Sequence, residues 1–175
     1  MTRTPGWTRV ADGVYRVSCA KTNCYLIVSD DGMTLVDAGL PGSWRPLNAL
    51  LATLGAFWGK GVDAAPSVTH SHIVDVPGTP TALWSPGHTD GHCGFHFAEA
   101  DVLISGDAIV TVDPYTGRTG PRIVANAATA DSATALDSIE VFTATGAGTM
   151  LPGHGEPWRQ GIDASVRFAR RVGPS

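Results

Sequence analysis

Lysine is nearly absent from this sequence: Lys21 and Lys60 stand against ten arginines. Charge of any kind is scarce, at 16% of residues, and the formal balance is −4. A chain that binds a nucleic-acid backbone needs a basic surface, so DNA and RNA are excluded as partners. No apolar run approaches the length of a bilayer span, which excludes a membrane-crossing helix. The opening "MTRTPGWTRV" has no apolar core of the kind a secretory leader requires. Three cysteines are an odd number and too few for a disulfide framework. The expectation is reduced thiols in a cytoplasmic protein. Cys19 and Cys24 flank the turn "AKTN" and could sit across from each other on a hairpin; the plainer reading is two small half-buried residues. The excess of Arg over Lys, with abundant Ala and Gly, fits a GC-rich bacterial genome.

What is plentiful is punctuation. With 21 Gly and 12 Pro, the elements must be short and sharply bounded. Hydrophobic residues make up 43% of the chain, enough for one folded domain over 1–175. "GVYRVSC", "CYLIVSD" and "GMTLVDAG" are β-branched and aromatic runs and predict a three-stranded meander. "SWRPLNALLATLG" predicts a helix, with Ser43 as cap and Leu47, Leu50, Leu51 and Leu54 on one face. "AFWGKGVDAAPS" has no period and reads as a loop. From Val68 to Val76 the pattern alternates, placing Val68, His70, His72, Val74 and Val76 on one strand face. Three strands follow, "TALWS", "CGFHFA" and "DVLISG", and then a Gly/Pro-rich loop, "TVDPYTGRTGPR". A helix over "TADSATALDSIEVFTATG", a strand "TMLPG" and a last amphipathic helix complete the order. Strands and helices in this sequence predict mixed sheets with helices outside, a layered α/β sandwich.

One device recurs. An apolar strand ends in Gly, and a histidine or aspartate follows at once. "TALWSPGH" delivers His88, "VLISGD" delivers Asp107 and "TMLPGH" delivers His154; "TLVDAG" delivers Asp37 in a related way. A strand end leaves room for a ligand, and Gly permits both the turn and a close approach. Several such ends on one sheet edge make a shared pocket. Two imidazoles and a carboxylate suit a divalent metal such as zinc or iron.

"TLVDAG", "SPGHTDGH", "LISGD" and "LPGHGEPW" resemble, in that order, the blocks of the metallo-β-lactamase-fold hydrolases. The resemblance covers most of the chain. It is nearer to the glyoxalase-II-like branch than to the true β-lactamases, which usually place Cys where this chain has Asp107. It implies an αββα sandwich with metals at the sheet edges. His88 would then bind one metal, Asp107 would bridge two, and His154 would bind the second. Asp37 would stand just behind the site, and His92 would brace the loop that carries His88.

The family's main signature, H-x-H-x-D-H, appears nowhere in this chain. "THSHIVD" offers its first half, His70 and His72, but Val74 and Asp75 occupy the positions of Asp and His. On a strand, a carboxylate one position late faces the other way. Fifteen residues separate His72 from His88, room for a turn and one strand only. The simplest account is a shortened sandwich from which an internal segment has been deleted, with His70 and His72 as the weaker ligand candidates. A cupin reading fails, because Val76 and Pro77 stand where its Glu would be.

The resemblance therefore implies metal-assisted hydrolysis of an ester, thioester or amide bond of a small-molecule substrate. Asp107 is the expected catalytic residue. The cofactor is zinc, with iron or manganese as alternatives, and fewer than two ions. Arg118 and Arg122, just beyond Asp107, are candidates for contacting an anionic substrate. The other reading is a catalytically inactive binding or scaffold domain. A homodimer is expected, because a shortened sheet exposes an apolar edge.

Overall fold

Strand β3 (Thr22–Ser29) explains the layering. Its residues Asn23 to Ile27 are all buried, so the strand is covered on both faces. Tyr25 and Ile27 point one way and Cys24 and Leu26 the other, as the two-residue period of a strand requires. The computed structural model describes residues 6–37, 39–56 and 69–174, and these form two sheets with helices outside.

The first sheet is an antiparallel meander of β1 (Trp7–Ala11), β2 (Val14–Cys19), β3 and β4 (Gly32–Val36), in that order. It has one strand more than the sequence predicts, because the short run before Gly13 also pairs, Trp7 with Val17. Cys19 lies opposite Thr22 and Cys24 opposite Val17, so the two do not face each other; Cys19 is half-buried as expected, Cys24 is fully buried, and both thiols are free. The second sheet contains β5 (His72–Ile73), β6 (Thr81–Trp84), β7 (Cys93–Phe97), β8 (Val102–Gly106) and β11 (Thr149–Pro152), ordered β11-β8-β7-β6-β5. Between them in sequence, β9 (Val110–Val112) and β10 (Thr119–Arg122) form a separate two-stranded ribbon.

Val10, Val14, Tyr25 and Ile27 of the first sheet pack on Phe97, Val102, Ile104 and Leu151 of the second. The outer face of the first sheet is covered by α1 (Trp44–Thr53) through Leu47, Leu50 and Leu51. The outer face of the second is covered by α2 (Ser132–Ser138), the 3-10 turns Ile139–Thr145 and α3 (Ile162–Val172). Leu103 and Met150 pack there on Ile139, Phe142, Ile162 and Val166. Each fully buried Leu, Ile or Phe removes apolar area worth roughly 1.5–3 kcal/mol from water. The architecture is the αββα sandwich, and 175 residues fit a shortened version of it. No helix among the described residues is long and apolar enough to cross a membrane.

Four local expectations need correction. The strand over 68–76 shrinks to His72–Ile73, because Ser71 adopts a left-handed φ of 57° and breaks the run; Val68 lies outside the described residues. The loop "TVDPYTGRTGPR" contains the β9–β10 ribbon, closed by a turn in which Gly117 N donates to Asp113 O at 2.8 Å. The predicted helix at 129–146 stays α-helical only to Ser138 and then tightens, ending on Gly146 at φ 62°. Its cap is Asp131, whose Oδ1 accepts from the backbone of Ala133 and Thr134, both at 3.0 Å. Ser43 precedes α1, but its hydroxyl accepts from Leu40 N at 3.2 Å instead of capping the helix. The loop "AFWGKGVDAAPS" lies mostly outside the described residues.

Candidate metal centre

Strand direction brings the site together. β6 and β8 both pair antiparallel with β7, so they run the same way, and β11 pairs parallel with β8. The carboxyl ends of all three strands therefore share one edge of the sheet. His88, Asp107 and His154 follow those ends directly, as the sequence device predicts. β7 begins at the same edge, which puts His92 there too.

Two of the glycines are required by their surroundings. Gly87 has φ 125°, and a Cβ on it would lie 2.2 Å from the backbone nitrogen of Ala135, so the loop before His88 packs directly on α2. Gly106 has φ 53°, and a Cβ there would lie 2.8 Å from His92 Nε2. The loop is tied further by Asp131 N donating to Gly87 O at 2.9 Å and Ala130 N to His88 O at 3.2 Å.

Asp107 is the centre of the arrangement. Its Oδ2 lies 3.6 Å from His88 Nε2 and its Oδ1 lies 3.5 Å from His154 Nε2. Each oxygen faces a different imidazole. His154 Nδ1 meets the Lys21 carbonyl at 2.8 Å; a carbonyl only accepts, so Nδ1 carries the proton and donates. In the neutral ring Nε2 then presents a lone pair toward Asp107. His88 is placed differently: its Nδ1 is buried without a hydrogen-bond partner. His92 Nε2 accepts the Asp107 backbone N–H at 3.2 Å, so its Nδ1 donates to Ser85 Oγ at 2.9 Å. His92 thus braces the strand end that carries Asp107, as well as the loop of His88.

The electrostatics follow the geometry. Burial, with help from the nearby His88 charge, pushes His92 down to about 4, so it stays neutral as an acceptor must. Burial alone would raise Asp107, but the pairing with His154 and the neighbouring His88 outweigh it and hold the carboxyl below its ordinary value. His154 is raised by its partnership with Asp107, which exceeds the opposing effect of burial.

A cavity of ≈310 Å³ opens over these groups, lined by Asp37, His88, His92, Asp107 and His154, with Tyr25, Phe95 and Ile104 as apolar wall. Asp37 sits at its edge with φ 65°, its Oδ1 accepting from Gly39 N at 2.8 Å. Cys93 also lines it, a residue to which the sequence assigns no role. Two larger hollows, ≈620 Å³ beside Asp30 and Asp31 and ≈670 Å³ beside α3, have no histidine in their lining.

His70 and His72 are exposed, and neither lines the cavity. Arg118 and Arg122 do not line it either. Arg118 is exposed. Arg122 is 8% exposed, and its guanidinium donates to the Gly120 carbonyl at 3.1 Å and to the Thr119 carbonyl.

Whether these residues suit a metal is a matter of donor type and number. Among the described residues, no group of three or more His, Cys, Asp and Glu side chains converges as a finished metal site. What stands there is two His–carboxylate pairs sharing Asp107. Zinc bonds nitrogen and oxygen at roughly 2.0–2.2 Å, so two donors on one ion lie up to about 4 Å apart. Both pairs meet that limit. The donor chemistry fits a cation at either position, with two protein donors at each.

The comparisons agree with the fold. The family model for the metallo-beta-lactamase superfamily matches residues 46–154. A metallo-beta-lactamase family protein from Thermus thermophilus is 17% identical, with 92% of this chain and 79% of that one covered at a TM-score of 0.68. TTHA1623, solved in a di-iron-bound form, is 18% identical, with 90% and 96% covered at 0.59. FIM-1 from Pseudomonas aeruginosa, in its mono-zinc form, is 14% identical, with 95% of each chain covered at 0.61. At these identities the likeness is one of fold. No curated protein matches.

Proposed function

The chain belongs to the metallo-beta-lactamase superfamily, and from that premise we propose that it is a metal-dependent hydrolase with an incomplete dinuclear centre. Its target is an ester, thioester or amide bond, and its place is nearer the glyoxalase-II-like branch than the true β-lactamases. One observation carries the reading: the Asp107 carboxylate stands between two imidazoles and offers one oxygen to each. Two nitrogens and a carboxylate suit zinc, with iron or manganese as alternatives. Two donors per position support fewer than two firmly held ions. The absence of H-x-H-x-D-H from the sequence accounts for the shortage. The exposure of His70 and His72 favours a lost segment over a displaced motif.

Asp107 with His154 or His88 would hold the cation, which would supply Lewis acidity and make water more acidic near neutral pH. The protein's own groups do the rest. Lys21 O fixes the His154 proton on Nδ1 and leaves Nε2 free. His92 holds the Asp107 backbone. Tyr25, Phe95 and Ile104 keep one wall of the cavity apolar, which limits water around the reacting bond. The substrate is a small molecule, and a second copy would pair at the open edge of the second sheet beside β6, which the two residues of β5 cover only in part.

The test is metal content. Protein equilibrated with Zn(II) and desalted should retain up to one equivalent and melt higher. Saturation at a hundred times Kd adds about 2.7 kcal/mol. Asp107→Ala and His154→Ala should lose both effects, while His70→Ala and His72→Ala keep them. Protein that holds no metal and ignores added zinc and iron would sink this reading. It would leave the non-catalytic scaffold, which the lack of a convergent three-donor group among the described residues favours.

A further inference from the structure

We infer that Gly153 is a positioning residue for Asp107, and that its missing side chain is what lets the carboxylate stand between the two histidines. The inference rests on the reading of Asp107 as the centre of the site. Gly87 and Gly106, the other glycines that immediately precede candidate ligands, both have left-handed φ, so their backbones alone demand glycine. Gly153 is not among the residues of positive φ. Its φ therefore does not require glycine. What forbids a side chain is space: a Cβ on Gly153 would lie 2.2 Å from Asp107 Oδ1, 3.2 Å from Asp107 Cγ and 3.2 Å from the carbonyl carbon of Gly106.

Asp107 Oδ1 is also the oxygen that faces His154 Nε2 at 3.5 Å. The neighbouring backbone cannot move aside easily. Gly153 N donates to Gly106 O, and Asn23 N donates to Gly153 O, both at 2.8 Å. A methyl group at 153 therefore has one soft neighbour, the Asp107 carboxylate. Turning that carboxylate away removes an oxygen from the position between the two rings, while the sheets stay packed.

The experiment is a double-mutant cycle on the full chain. Gly153→Ala in the wild type should lower the melting temperature by a few degrees. The same change in an Asp107→Ala background should leave it unchanged or raise it, because the clash is gone and the unfolded chain has lost freedom. Cobalt(II) titration followed by its visible d–d bands should show Gly153→Ala binding about 10- to 100-fold more weakly than wild type, with altered bands. An equal fall in melting temperature in both backgrounds would overturn the inference, since the glycine would then serve the backbone. So would a Gly153→Ala protein with wild-type cobalt affinity and spectrum. A wild type that takes up no cobalt would count against the metal reading alone, and the melting cycle would still decide the role of Gly153.

Discussion

Replacing Asn23 by Ala should cost about 2 kcal/mol, and its hydrogen-bond partners explain why it is not more. Asn23 is 2% exposed, and its Nδ2 donates to Pro152 O at 3.0 Å and Gly155 O at 2.8 Å. Those carbonyls flank His154, so one side chain of the first sheet clamps the loop that carries a candidate ligand. Had the substitution orphaned two buried carbonyls, each would lose about 1–3 kcal/mol. Neither is orphaned. Pro152 O still accepts from Tyr25 OH at 2.6 Å, and Gly155 O still accepts from Arg16 Nη1 at 3.1 Å. The loss is two ordinary bonds at about 0.5–1.5 kcal/mol each. For a chain of this size that lowers Tm by roughly 4–8 °C. Asn23→Asp is the sharper probe. It puts a carboxylate against two carbonyl oxygens, so it should destabilise more than Ala at pH 7 and recover as the pH falls and the acid protonates. Urea unfolding at about pH 7 and about pH 4.5, on either side of the raised carboxyl value that burial imposes, measures both. A cost below about 0.5 kcal/mol for Asn23→Ala, within the range of ordinary surface changes, would refute the clamp. So would Asp and Ala variants of equal stability at neutral pH.

Tyr25 is 1% exposed, and burial, the largest influence on it, pushes its phenol far above the ordinary value. The folded protein keeps that proton while the unfolded chain loses it above about pH 10. The resulting stability is present below the unfolded value and is lost as pH rises beyond it. Tyr25→Phe should therefore flatten the alkaline limb of stability by about 1.4 kcal/mol per pH unit; parallel limbs would sink the argument. Gly87→Ala combines a strained φ with a clash against the backbone of Ala135, and should cost about 3 kcal/mol or more in chemical denaturation. A cost under about 1 kcal/mol would mean that α2 yields where the packing says it cannot.

The strand–Gly–ligand device was legible because it is local. A run of apolar residues, a glycine and a polar residue announce themselves within a few positions, and parallel strand ends do the rest. The strand over "CYLIV" was legible for the same reason, but its burial on both faces, from Asn23 to Ile27, appears only in the fold. What escaped was held by distant partners. Nothing near His154 in sequence says that its tautomer is set by the Lys21 carbonyl, 133 residues away. The turn "AKTN" that presents this carbonyl was legible, but its passage through Ala20 and Lys21 at φ 50° and 70° was not. The alternation around "THSHIV" predicts a strand, but a left-handed Ser71 cuts it to two residues, and tertiary pairing with β6 decides its extent. His92 is legible as a brace, yet its bond to the Asp107 backbone depends on β7 lying beside β8.

The link between Lys21 and His154 also orders events in time. Of the strands that carry the candidate ligands, β11 is the last to be made, and His154 lies just beyond it. A ribosome adding about 5–20 residues per second needs on the order of ten seconds to travel from one partner to the other. By the end of that interval every strand of the meander has been made, while the edge of β8 that receives β11 is still unpaired. The candidate site is therefore assembled late, and a nascent chain halted before residue 154 would carry most of the scaffold without His154.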